Sequence, residues 1–207
     1  MKALIALTIA FVLSTTNTVA ASAGSETPEQ FVEKTTADVI AVLADKNLDH
    51  NTKTSRLESM LDQRSDFDTI TKLVLGANYR QFSESQKGEF QKVLREYLSV
   101  TYGKQIDLYV DQRILVTGGR PEARGDYTVQ TKLVRKTGAD LSVDYRLRQK
   151  EGHWVLIDVI GEGISLVANL RSQFQEIITH GGPDRLLQVL REKNANGGGD
   201  PVPVAAR

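Results

Sequence analysis

The chain has 207 residues, 26 basic and 26 acidic side chains, three histidines and no cysteine. Zero net charge without a basic block excludes a nucleic-acid binder that works by neutralising phosphates. The absence of cysteine excludes disulfide staples and a lipid-modified N-terminal cysteine, so an ordinary hydrophobic core must hold the chain together.

The first residues read as a secretory leader. Lys2 precedes the apolar run Ala3 to Leu13, and Ala21-Ser22-Ala23 supplies small residues for cleavage after Ala23, with Ala20 and Ala21 as neighbouring alternatives. The run is shorter than the roughly 20 residues a membrane-spanning helix needs, and no other segment is long and apolar enough to span. Residues 1–23 are thus expected to be a removed signal peptide, with an exported, soluble mature chain. Residues 24–193 form one domain, and "NANGGGDPVPVAAR", 194–207, is a Gly/Pro-rich tail expected to be disordered.

Thr27-Pro28-Glu29-Gln30 combines a cap, a first-position proline and a Gln three residues on, and predicts a helix to about Asp45. Leu57, Met60 and Leu61 mark a short helix over Thr52 to Gln63, and Asp66 to Leu75 a third that ends at Gly76. Ser83 and Gln86 form a second capping box. They open the longest helix, with Phe90, Val93, Leu94, Tyr97, Leu98 and Thr101 on one face and Gly103 near its end. The period then changes from 3.6 to 2. Four strands are predicted: Arg113 to Thr117, Asp126 to Arg135, Asp140 to Gln149 and His153 to Ile160, joined by "GGRPEARG", "KTGAD" and "KEGH". Short turns imply an antiparallel meander with one wet face. A helix from about Gly163 to His180 follows, then Gly181-Gly182, then a last helix from Pro183 through Lys193. The fold class is α+β: an antiparallel four-stranded sheet with helices packed on one face.

Several residues invite a chemical reading. Asp158 lies inside a strand-like run, where a buried carboxylate can act as a general base in a cone-shaped isomerase or cyclase. The alternative is that it bonds amides or a cation at the sheet's end. Gly163-Ile164-Ser165-Leu166-Val167 occupies the place of a nucleophile elbow, but Val167 stands where the pattern needs a second glycine. His50, His153 and His180 share no metal-ligand spacing. No catalytic residue, metal or cofactor is assigned. Arg171 borders the apolar stripe of its helix, consistent with a snorkelling stem, a pair with Asp158 or contact with an anionic ligand.

The stretches "LVLGANYRQFSESQKGEFQKVLREYLSVTYG" (73–103), "HWVLIDVIGEGISLVANLRSQFQEII" (153–178) and "GGPDRLLQVL" resemble the MlaC, or toluene-tolerance, family of periplasmic phospholipid-binding proteins. Tyr97, Leu98, Tyr102 and Gly103 fall on the family's helix motif. Trp154, Asp158, Gly163, Ser165, Leu166, Arg171 and Phe174 fall on its strand–helix motif. The resemblance implies a curved sheet and helices around an apolar cavity that holds phospholipid acyl chains. It also implies a periplasmic shuttle between an outer-membrane lipoprotein complex and an inner-membrane ABC-transporter complex, maintaining outer-membrane lipid asymmetry without enzymatic activity. A hopanoid is the alternative ligand. Alternation picks out Val129, Leu133, Leu141, Val143, Tyr145, Leu147, Val167, Leu170 and Phe174 as the candidate cavity lining. The rival readings are an isomerase or cyclase using Asp158 and a ligand-free adaptor.

Overall fold

A computed structural model describes residues 26–103, 112–136 and 138–199. The expected leader, 1–23, and residues 200–207 of the expected tail lie outside the described residues.

Local chemistry accounts for the helix starts. Helix α1, Pro28–Ala44, opens on the expected capping box: Gln30 N–H donates to Thr27 Oγ1 (3.2 Å) and Thr27 N–H to Gln30 Oε1 (3.0 Å). Such caps contribute about 1 kcal/mol. Helix α2, His50–Arg64, begins two residues ahead of the expected Thr52, because Asp49 captures the Thr52 N–H at 2.8 Å. Helix α3, Phe67–Leu75, is capped by Asp66 and runs into a 3₁₀ turn over Gly76–Gln81. The Ser83–Gln86 box opens α4, Glu84–Gly103.

The strands are β1 (Arg113–Pro121), β2 (Tyr127–Val134), β3 (Leu141–Lys150), β4 (His153–Gly161) and β5 (Ile164–Ser165), antiparallel in that order. The fifth strand, only two residues long, was not among the four expected. It forms because Glu162 and Gly163, at φ 48° and 78°, close a two-residue turn that folds Ile164–Ser165 back onto β4. Glu151 and Gly152, at φ 52° and 81°, close β3 onto β4 in the same way. Both central residues of such a turn need positive φ, which glycine adopts without strain. Gly163 therefore belongs to a turn, and the helix expected to start there, α5 (Leu166–Ala195), starts three residues later with Ser165 as its cap. The expected break at Gly181-Gly182 appears as a kink inside α5, where Gly182 has φ 68°.

Two bulges bend the sheet, one in β1 between Val116 and Gly118, one in β4 opposite Arg146 and Leu147. The second decides where Asp158 points. Strict alternation from Trp154 and Leu156 would put Asp158 on their apolar face. The extra residue, Ile157, turns it to the face of Arg146 instead.

Apolar burial falls into two clusters. In one, Phe31 and Val32 of α1 pack on Val129 and Leu147, flanked by Tyr127, Tyr145, Trp154 and Leu156. Gly119 permits the close approach of α1, since a Cβ there would lie 2.5 Å from the Tyr127 ring and 2.7 Å from Glu29. The larger cluster joins α3, α4 and α5 beside β4, centred on edge-to-face contacts of Phe174 with Phe90 and Tyr97, centroids 6.1 and 6.2 Å apart. Residues 194–199, expected in the tail, join this body. Asn194 Nδ2 donates to Val93 O (3.1 Å) and Gly199 N to Thr101 Oγ1 (3.0 Å).

Candidate functional site

A groove opens beside the larger cluster, with Leu61, Leu98 and Leu166 at its edge. Helix α2 has no buried residue, yet Thr54, Leu57, Glu58, Leu61 and Asp62 recur along it at helical spacing and face α4. Opposite them, α4 presents Lys92, Arg95, Glu96, Ser99 and Tyr102, on the side away from its buried Phe90, Val93, Leu94 and Tyr97. Leu98, Val100, Gly103, Val159 of β4 and Leu166 of α5 complete the wall. The groove has a volume of about 720 Å³, within the roughly 300–1,000 Å³ typical of ligand pockets.

Apolar side chains form the interior of this groove, and charge gathers along α2 and α4. Asp62 pairs with Arg95 at 2.7 Å, and the Ser99 hydroxyl donates to Glu58. Arg95 also lies over the Phe67 ring, 4.1 Å from its centroid. These polar links tie α2 to α4 across the groove. On its other side α2 is tied to α1 by Arg64, which pairs with Asp38 at 2.9 Å and donates to Thr35.

The nine residues expected to line the cavity lie elsewhere. Val129 and Leu147 belong to the α1–sheet cluster, and Val167, Leu170 and Phe174 to the helical cluster. Val143 is buried, while Leu133, Leu141 and Tyr145 are half-buried on the sheet. Alternation identified the apolar face of the sheet but not what covers it. Tyr145 is the cross-strand partner of the groove residue Val159; burial pushes its phenol up to about 12, so it stays neutral. The usable signal lay in α2, whose thin stripe of Leu57 and Leu61 on an otherwise polar helix suits a wall better than a core.

The motif positions divide between groove and scaffold. Tyr102, Gly103, Leu98 and Leu166 border the groove. Tyr97 is buried against Phe174, and Trp154 Nε1 donates to Glu26 O (3.0 Å) beside Tyr127. Arg171 does not pair with Asp158: its Nε donates to Leu73 O (2.6 Å), beneath Gly76, and so closes the end of α3. Cations suit such carbonyl ends.

Asp158, 4% exposed, is a corner post. It accepts from Ser165 Oγ (2.6 Å), Val167 N (3.0 Å) and Arg146 Nη1 (3.2 Å). Ser165 Oγ in turn accepts from Ala168 N (3.0 Å), so one carboxylate organises two of the first amides of α5. A negative group is stabilised there by the helix dipole. Three protein donors hold it, and it is not part of the groove wall. Lys150 and Asp66 make a second tie between sheet and helices, at 3.0 Å. Burial alone would raise the Asp66 carboxyl, but hydrogen bonds from Thr69 and Lys150 outweigh it and hold the group below its ordinary value. Among the described residues no group of His, Asp and Glu is arranged to hold a metal ion, and no helix is long and apolar enough to cross a membrane.

Fold and groove together define an α+β domain built around an apolar, charge-lipped cavity. A family model described as MlaC protein matches residues 33–192, and the chain belongs to that family. The toluene tolerance protein ttg2D of Pseudomonas putida is 27% identical over 165 residues, 77% of each chain. The intermembrane phospholipid transport system binding protein MlaC of Haemophilus influenzae is 22% identical over 123 residues, 58% of each chain. Among solved structures, the phospholipid-binding protein from Ralstonia solanacearum in complex with a phospholipid superposes with a TM-score of 0.72 at 24% identity. It covers 81% of this chain and 97% of its own.

Proposed function

We propose that this protein is a soluble periplasmic lipid carrier that holds phospholipid acyl chains between α2 and α4. It passes lipid between an outer-membrane lipoprotein complex and an inner-membrane ABC-transporter complex, sustaining outer-membrane lipid asymmetry, and breaks no bond in doing so. The observation that carries this reading is the apolar groove of about 720 Å³. Membership of the MlaC family and the phospholipid-bound Ralstonia relative support it.

The energetics favour this design. At about 0.8 kcal/mol per CH₂, two acyl chains cost on the order of 20 kcal/mol to expose to water. A carrier must offer nearly the apolar environment of a bilayer and yet release its cargo. Leu57, Leu61, Leu98, Val159 and Leu166 supply such an environment. Mass spectrometry of an organic extract of the natively purified protein tests the reading. Stoichiometric phospholipid is expected. A hopanoid keeps the carrier and changes its cargo. No extracted lipid, together with no binding of an added fluorescent phospholipid, refutes it.

A further inference from the structure

We infer that the groove prefers a phospholipid with a zwitterionic, amine-bearing headgroup, such as phosphoethanolamine, over an anionic one such as phosphoglycerol. The inference rests on the carrier reading. Two cations, Lys92 and Arg95, and three anions, Glu58, Asp62 and Glu96, line the groove. Arg95 and Asp62 neutralise each other at 2.7 Å. That leaves Lys92, Glu58 and Glu96. Glu58 accepts the Ser99 hydroxyl, which satisfies an oxygen without neutralising the charge. Lys92 and Glu96 are exposed and make no ion pair among the described residues.

The geometry matches a zwitterion. Lys92 and Glu96 lie one turn apart on α4, and Ser99, which holds Glu58, is three residues beyond Glu96. Such positions are neighbours on a helix surface, about 5–6 Å between Cβ atoms. A phosphate on Lys92 places an ammonium two carbons away within reach of Glu96 and Glu58. An anionic headgroup lacks the ammonium and meets two uncompensated carboxylates. Exposed ion pairs contribute about 0.2–1 kcal/mol each, which for two carboxylates converts to a preference of about two- to thirtyfold.

The test uses delipidated full-length protein equilibrated with vesicles holding equal amounts of phosphatidylethanolamine and phosphatidylglycerol with matched acyl chains. The bound lipids are then extracted and weighed by mass spectrometry. Phosphatidylethanolamine enriched about two- to thirtyfold is expected at low salt, declining towards the vesicle ratio near 0.5 M salt, where the Debye length is about 4 Å. The double variant Glu58→Gln, Glu96→Gln, which keeps the bond from Ser99, should bring the ratio of the two bound lipids to that of the vesicles, a readout that does not depend on total uptake. Uptake of both lipids in vesicle proportion, or enrichment that survives the double variant, overturns the headgroup inference alone. Uptake of neither lipid overturns the carrier reading and the inference with it.

Discussion

One side of α4 buries Phe90, Val93, Leu94, Tyr97 and Thr101 against α3 and α5, with aromatic rings in edge-to-face contact. The other side faces α2 across the groove and touches it mainly through Arg95–Asp62 and Ser99–Glu58. A single helix thus serves as the backbone of a close-packed body and as one wall of an open site. The difference teaches where stability and ligand capacity should separate: substitutions on the first side act on folding, and those on the second act on cargo.

The strongest way to break that division is to mutate Phe174, 1% exposed and in contact with both Phe90 and Tyr97. Phe174→Ala should cost about 3–5 kcal/mol in denaturant unfolding, with lipid content falling only as the folded fraction falls. Asp158→Asn should cost about 2 kcal/mol, because a buried carboxylate loses charge-assisted bonds to Arg146, Val167 and Ser165. The folded variant should keep its lipid; loss of lipid at full folding would move Asp158 into the site.

A smaller effect concerns acid. Asp66 is held below the ordinary carboxylate value, so its stabilisation is complete at neutral pH and is lost as pH falls through the depressed folded value. Lys150→Met should raise that value and shift the acid-unfolding midpoint upward, while stability at pH 7 changes by less than about 1 kcal/mol. For Leu57→Ser on α2, a half-buried position, the expected change in stability is about 1 kcal/mol. Yet bound lipid should drop severalfold. Equal losses of stability and lipid in this variant would dissolve the contrast between the two sides of α4.

Much of the scaffold was legible in the sequence. The Thr27 and Ser83 capping boxes, the alternation of β3 and the Gly181-Gly182 break each have a local signature, and each produced the expected element. β5 and the orientation of Asp158 were not legible, since both depend on how two-residue turns and the bulge at Ile157 set register between strands. The groove was hidden for a related reason. Val129 and Val159 look alike along the chain, and only the docking of α1 over the first makes one core and leaves the other as wall.

The paired Glu-Gly turns carry an evolutionary consequence. Strand β4 is nine residues long and is clamped at both ends by turns that admit no spare residue. A single inserted or deleted codon between Gly152 and Glu162 would rotate every following side chain to the opposite face, withdrawing Asp158 from the amides of α5 and Val159 from the groove. Divergent homologues should therefore align across this stretch without gaps. Their length variation should collect in the connections between β1 and β2 and between β2 and β3, where no such double clamp operates.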